Sequence, residues 1–355
     1  MSTTSHKLIL HVVGARPNYV KASPVVRELD KRGANQVIVD TSQHYSSDMS
    51  TQIRRAVDMR EPSWTLDHVE GGIEVRLASL IQQLYKLMER EAPSLVVVYG
   101  DIDSTLAASV AAKKYGTFLA HVEAGLRSFD DEMPEEINRR VVDELADFCF
   151  ATEESALSNL AHKKNKVFMV GNTMIDSLVK AQSDGRLKKR TPQDYVLLTT
   201  HRPSNVDGKN ALKSIIKMCN AISRPIIWPI HPRTKNNLKK YELYHEVEKI
   251  NRLSLVGPMG YIEFLNTMNN SYAVITDSGG AQEETTFLGV PCFTIRHNTE
   301  RPITLTKGTN TLIEMKDVAA QLKQTKENTK KEIPYLWDGS AASRVADILK
   351  SKGFC

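Results

Sequence analysis

Three acidic positions in the first half of the chain, Asp101, Glu123 and Glu135, have the chemistry of a proton-transfer site. Several carboxylates around one cleft resist ionising together. Their pKa values separate, so that one holds a proton while another takes one. Elimination and re-addition at a sugar carbon require that division of labour. Arg16, Lys21, Arg127 and Arg139 supply positive charge in the same half, as a departing diphosphate needs in its transition state. Glu123 lies in the apolar context FLAHVEAGL, where a carboxylate requires a buried partner. Arg139 follows Glu135 by four positions, which puts the two on one helix face as an expected pair. Asp101-Ile102-Asp103 has metal-clamp spacing but precedes a helix, so Asp103 with Ser104 reads as a helix cap.

The second half carries a different chemistry. Asp277-Ser278-Gly279-Gly280 follows a strand and opens a helix. Two glycines let a phosphate approach the backbone, and the helix offers unpaired N–H groups and the positive end of its dipole. Ser278 adds a hydroxyl, although a plain tight turn with a serine cap would read the same way. Glu283 and Glu284 follow about one turn later. Neighbours on a helix point about 100° apart, so one suits a ribose diol and the other a structural role. The Walker pattern is absent. His44, His201 and His231 lack local zinc spacing, so neither a metal nor a cofactor is expected. His121 reads as a core residue or one supporting the site.

These groups must be carried by elements, and the pattern is regular. Residues 7–13, 36–40, 94–99, 117–122 and 147–152 read as strands, separated by helical stretches at 19–32, 72–90, 104–115 and 134–146. The rhythm restarts with strands at 195–200, 225–230, 252–256, 272–276 and 291–295, and helices near 209–222, 233–248, 261–269 and 279–288. Repeated strand–helix–strand units mean an α/β protein with parallel sheets and helices on both faces. The expected division is a first domain over 1–173, a second over 174–337, and a terminal helix over 338–355 crossing back to the first. The Lys- and Glu-rich stretch 316–332 reads as a solvated helix face. In doubly wound sheets, ligands sit beyond the carboxyl ends of the strands. Gly14–Arg16, Gln43-His44, Asp101, Glu123, His201-Arg202, His231, Ser278–Gly280 and Arg301 all follow strands.

The 355 residues suffice for two domains, and 41% hydrophobic with 25% charged residues is the balance of a soluble globular chain. A net charge of +5 is too small and too dispersed to indicate nucleic acid. Cys149, Cys219, Cys292 and Cys355 show neither a metal knuckle nor a disulfide framework. The apolar run near the start has strand length, far short of a membrane span, and no export pattern precedes it. A cytoplasmic protein without membrane partners is expected.

Taken together, Gly14-Ala15-Arg16-Pro17 with Lys21, Gln43-His44, Tyr99-Gly100-Asp101 with Ser104-Thr105, His121-Val122-Glu123-Ala124-Gly125-Leu126-Arg127 and Pro134-Glu135-Glu136-Ile137-Asn138-Arg139 form an ordered set of motifs. It continues with His201-Arg202, Asp277–Gly280 with Gln282-Glu283-Glu284, Thr299-Glu300-Arg301-Pro302 and Gly308-Thr309-Asn310. From about residue 8 to about 312 the chain resembles the non-hydrolysing UDP-N-acetylglucosamine 2-epimerases. The resemblance implies two Rossmann-like doubly wound domains of the GT-B type facing a cleft, in a homodimer. It implies reversible conversion of UDP-N-acetylglucosamine to UDP-N-acetylmannosamine, with UDP eliminated anti to leave a glycal and then re-added. By motif, Asp101, Glu123 and Glu135 are the acid/base carboxylates, assisted by Arg139 and His201. Arg16, Ser278, Gly279, Gly280 and Arg301 are the diphosphate ligands with Lys21 nearby, and Glu284 is the ribose acceptor. Three motifs depart from many members. Asn18 stands where Glu is common, Pro203-Ser204 where Arg-Glu is common, and Ser46 where some bacterial members have Gln. Related activities are a hydrolysing epimerase, an epimerase of a modified UDP-sugar and a GT-B glycosyltransferase.

Overall fold

The computed structural model describes residues 7–42, 47–325 and 332–355. They form two compact units, one comprising the residues up to Ala181 with Tyr335–Cys355, the other running from Gln182 to Pro334.

The first unit is built on a seven-stranded sheet. Its strands are β1 (Leu8–Val13), β2 (Asn35–Asp40), β3 (Trp64–Thr65), β4 (Leu95–Tyr99), β5 (Phe118–Ala124), β6 (Phe148–Ala151) and β7 (Val167–Met169). They lie in the order β3-β2-β1-β4-β5-β6-β7, and every pairing is parallel. β4, LVVVY, is buried along its whole length, as a strand covered on both faces must be. The helix Asp103–Tyr115 turns Ala107, Ala108, Ala111 and Ala112 into the core, and these small side chains let it lie close to helix Ile73–Glu91. It stops at Gly116, whose φ of 94° gives the left-handed cap that glycine allows.

The second unit repeats the plan with β8 (Val196–Thr199), β9 (Ile226–Pro229), β10 (Leu253–Val256), β11 (Ala273–Thr276), β12 (Cys292–Thr294) and β13 (Asn310–Leu312). Their order is β10-β9-β8-β11-β12-β13, again all parallel. Trp228 on β9 is fully buried among Leu212, Ile215, Leu238 and their neighbours. In each sheet the strand order reverses once, between β1 and β4 in the first and between β8 and β11 in the second. That reversal opens a crevice beyond the carboxyl ends of the strands.

The chain passes between units at 181/182 and 334/335, rather than at the expected 173 and 337. Trp337 is buried and donates through its indole N–H to the Thr152 carbonyl at 3.0 Å. Helix Ala341–Ser351 packs on helix Arg16–Lys31. Asp176 receives the Ala341 and Ala342 N–H groups at 3.2 and 2.6 Å, satisfying orphan donors at the start of that terminal helix. Burial pushes the Asp176 carboxyl up to about 7 against the pull of these two N–H groups.

Elsewhere the pattern reading differs in detail. The stretch 233–248 is two helices, Pro232–Lys240 and Tyr244–Glu248, broken where Glu242 adopts φ 59° and the Leu243 N–H returns to Leu238. No glycine or proline marks that break. The short edge strands β3 (WT) and β13 (NTL) lack the apolar run that identifies a buried strand, and β7 (VFM), though apolar, is only three residues long. The stretch 316–332 holds helix Val318–Gln324, and 326–331 lie outside the described residues.

Candidate active site

In the first unit the functional side chains gather where β1, β4 and β5 end. Gly14 ends β1 against Ser104 and Thr41, whose hydroxyls share a 2.7 Å hydrogen bond. A Cβ on Gly14 would fall 2.6 Å from the Ser104 hydroxyl oxygen, so the close approach requires glycine. Helix Arg16–Lys31 begins directly after, with Arg16 exposed at its first position. Asn18 fastens this turn to β4. Its side-chain oxygen accepts from the Ala15 N–H at 3.0 Å, and its amide donates to the Tyr99 carbonyl at 2.7 Å.

One turn on, Lys21 forms a 2.6 Å ion pair with Glu123, with the two side chains only 5% and 4% exposed. This is the buried partner that the apolar context of Glu123 demands. Lys21 is thereby tied to the carboxylate site. Gly100, at φ 65°, leaves room for the pair: a Cβ there would stand 3.1 Å from the Lys21 ammonium nitrogen and 3.9 Å from a Glu123 oxygen. Glu123 itself has φ 76° and sits at a register shift in the β5–β6 pairing between Val122 and Ala124. A non-glycine residue held there costs about 1–3 kcal/mol and persists only where its surroundings over-determine it.

Asp101 follows Gly100 and is partly exposed. Its carboxylate pairs with Arg139, whose second arm pairs with Glu136 at 2.5 Å. The expected Glu135–Arg139 pair is therefore replaced. Arg139 reaches Glu136 one turn earlier, because both face inward while Glu135 is only half-buried and has no side-chain partner among the described residues. Burial raises the Glu136 carboxyl, but the Ser128 N–H and hydroxyl and the Arg139 guanidinium bring it below its ordinary value. Asp103 is likewise not the helix cap. Ile102 occupies that position, and Asp103, already helical, accepts from the Asn138 amide at 3.1 Å. That amide also donates to the Asp101 carbonyl at 2.9 Å, fixing the backbone of the candidate acid/base residue.

Behind this layer His121 is fully buried. Its Nε2 donates to the Gly100 carbonyl at 2.8 Å, and its Nδ1 meets Asp143 at 2.7 Å. Asp143 also accepts from the Gly125 N–H at 3.1 Å and from Arg127 at 2.6 Å. Burial raises its carboxyl, but His121 and Arg127 hold it below the ordinary carboxylate range.

In the second unit the site gathers at the ends of β8 and β11. Ser278 is the cap residue of helix Gly279–Leu288, yet its hydroxyl makes no capping bond, and no acidic side chain lies in the first turn. The plain serine-cap reading therefore does not hold, and no side chain caps the first turn of the helix. Arg301 lies against this turn. A Cβ on Gly279 would stand 2.8 Å from its guanidinium carbon and 2.9 Å from a Glu300 oxygen. Arg301 pairs with Glu300 and, through Nε, with Glu283 at 3.0 Å. Glu283 is thus bound into the Arg301 pairing, and Glu284, one position on, is also buried.

Asp277 closes the reversal between β8 and β11. Fully buried, it accepts from the His201 and Arg202 N–H groups and from the Asn205 amide, each within 3.1 Å. His201 Nδ1 lies 3.1 Å from it, with the imidazole 41% exposed. Burial raises the Asp277 carboxyl, but His201 and these donors hold it low. The His231 ring stands 5.7 Å from that of His201, and its Nδ1 caps helix Pro232–Lys240 by accepting from the Arg233 N–H.

The first unit thus brings together Asp101, Glu123, Lys21 and Arg139, with Arg16 and Glu135 at its margin. The second brings together Ser278, Gly279, Gly280, Glu284 and Arg301, with His201 on Asp277. Gln43, His44 and Ser46 lie outside the described residues. Asp143 has no place in the sequence motifs, and Asn18, Asn138 and Glu300 carry no role there, although the inward stripe of Glu136, Arg139 and Asp143 at helical spacing was there to be read. No group of three His, Cys, Asp or Glu side chains poised for a metal occurs among the described residues. No helix among them is long and apolar enough to cross a membrane.

The model of the UDP-N-acetylglucosamine 2-epimerase family matches residues 27–350. A UDP-N-acetylglucosamine 2-epimerase of Methanocaldococcus jannaschii is 37% identical over 85% of this chain and 87% of its own length. The crystal structure of that organism's UDP-GlcNAc 2-epimerase in complex with UDP-GlcNAc and UDP superposes with a TM-score of 0.89 at 35% identity, covering 97% of this chain and 99% of the other. A UDP-2,3-diacetamido-2,3-dideoxy-D-glucuronate 2-epimerase of Pseudomonas aeruginosa is 33% identical over 96% of this chain and 99% of its own. The two parallel-sheet units are accordingly the Rossmann-like domains of a GT-B-type fold, and the chain belongs to the UDP-N-acetylglucosamine 2-epimerase family.

Proposed function

We propose that this protein interconverts UDP-N-acetylglucosamine and UDP-N-acetylmannosamine by anti elimination of UDP and its re-addition. The observation that carries the reading is the pair of carboxylates beside Gly100, each paired with a cation: Glu123 with Lys21, and Asp101 with Arg139, which also holds Glu136. Inversion at carbon 2 needs one group to remove its proton as the bond from carbon 1 to the diphosphate oxygen breaks. It needs another to return a proton to the opposite face before UDP re-adds at carbon 1. Two separately held carboxylates fit that sequence, and Glu135 is a third at the margin. The leaving diphosphate takes the Ser278 hydroxyl and the N–H groups of Gly279 and Gly280 with the Arg301 guanidinium group, and Glu284 receives the ribose hydroxyls. His201, oriented by Asp277, assists at the departing oxygen.

Proton NMR of the purified protein with UDP-N-acetylglucosamine tests this. The expected result is an anomeric signal of UDP-N-acetylmannosamine growing to a constant ratio. Release of UDP in step with free N-acetylmannosamine would instead mark a hydrolysing epimerase. The Pseudomonas aeruginosa relative favours a second reading, in which the accepted sugar is oxidised or diacetamido-substituted. A panel of such UDP-sugars in the same assay separates the two. A homodimer is part of the proposal, supported by Ile137 and Val141, which lie 52% and 39% exposed on one face of helix Pro134–Leu145. Light scattering that finds a monomer at micromolar concentration would remove it.

A further inference from the structure

The backbone at Glu123 is in a conformation that the residue would not choose for itself, and three of the hydrogen bonds that surround it converge on one side chain. Asp143, fully buried on helix Pro134–Leu145, accepts from donors on both sides of Glu123. Two positions before it stands His121, at 2.7 Å; two positions after it the Gly125 N–H, at 3.1 Å; and four positions after it Arg127, at 2.6 Å. His121 extends the clamp to β4, because its other nitrogen holds the Gly100 carbonyl at 2.8 Å, and Asp101 follows Gly100 directly. The same helix presents Arg139 to Asp101 and Glu136. Gly125, at φ 85°, is pressed against Ala156, where a Cβ would stand 2.9 Å from the alanine methyl, so the loop has little room to relax.

We propose that Asp143 is the positioning residue of the acid/base site. It holds the bulge at Glu123 and, through His121, the Gly100–Asp101 turn, so that both carboxylates keep a fixed separation. The inference rests on reading Glu123 and Asp101 as the proton-transfer groups. Asp143 touches neither and acts through the backbone that bears them. A buried acceptor serving three donors around one strained residue does more than fill a core position. Preorganisation of this kind is felt in the rate of the chemical step more than in ground-state binding.

Asp143→Asn in the full-length protein tests it, with kcat and KM measured separately and folding monitored by near-UV circular dichroism and thermal melting. The expected result is a folded variant whose kcat falls about 100-fold while KM moves less than about threefold, as displacement of reacting groups without loss of binding predicts. A kcat within about twofold of wild type overturns the proposal, as does a rise in KM with kcat retained. Should Asp143→Asn fail to fold, His121→Asn removes one arm of the clamp and keeps the other two. A fall in kcat of about tenfold with KM held supports the proposal, and an unchanged kcat overturns it. Glu123→Gln in the same assay separates the two claims. Full turnover by that variant defeats the reading of Glu123, whereas an inactive Glu123→Gln beside a fully active Asp143→Asn defeats the positioning role alone.

Discussion

Replacing Lys21 by Met removes the cation from a pair that is almost wholly desolvated, at 5% and 4% exposure and 2.6 Å separation. Solvent screening, which makes surface pairs nearly worthless, is absent here. Methionine has similar length and packs without strain, so the loss is electrostatic. Breaking a buried pair by removing one partner costs about 3–5 kcal/mol, because the other charge keeps its desolvation penalty. For a unit of this size that corresponds to a fall of about 6–20 °C in the melting temperature of its transition. The double variant Lys21→Met, Glu123→Gln carries no buried charge at this point and should regain more than half of the loss. Turnover should be abolished in both. Calorimetry on the wild type, the two singles and the double gives the stability cycle, and NMR of the UDP-sugar gives activity. A double variant no more stable than Lys21→Met would show that the pair is not a coupled unit. Wild-type turnover by Lys21→Met would refute a catalytic role for the pair.

Two further outcomes follow from the geometry. Gly279→Ala places a methyl where the Arg301 guanidinium lies, with Glu283 and Glu300 preventing its retreat. Losing a charge-assisted contact of about 1.5–3 kcal/mol should weaken UDP binding about 10- to 150-fold by titration calorimetry while UMP, with one phosphate, is affected less. Asp176, pushed up to about 7 by burial, binds its proton more tightly folded than unfolded. Its contribution is fully present below the ordinary carboxylate pKa and is lost as pH rises through about 7. Melting temperatures between pH 4 and pH 7 should therefore fall more steeply in wild type than in Asp176→Asn, and parallel profiles would contradict the assignment.

The alternation of buried strands and helices was legible because parallel strands covered on both faces must be continuous apolar runs, as in LVVVY of β4. The strand-end positions of Asp101, Glu123, His201 and Ser278 were legible for the same reason. What escaped was the inside-out helix Pro134–Leu145. Apolar periodicity would put Ile137 and Val141 inside, yet the structure exposes them and buries Glu136, Arg139 and Asp143. The expectation that Glu135 pairs with Arg139 failed on that inversion, since it assumed that the marginal carboxylate faces the arginine. Asn18 stands where glutamate is common, and only coordinates reveal that its amide donates to the Tyr99 carbonyl, which a carboxylate cannot do. The left-handed φ of Glu123 leaves no trace in residue type, because no glycine occupies the position.

The most direct measurement is isotopic. The protein is incubated with UDP-N-acetylglucosamine in deuterium oxide, and both nucleotide sugars are recovered. If paired carboxylates exchange a proton with carbon 2, deuterium appears at that carbon in the product and, through reversal, in remaining substrate. Glu123→Gln abolishes the incorporation without abolishing UDP binding. Product formed with the carbon-2 hydrogen fully retained, or undiminished incorporation in Glu123→Gln, would contradict the account.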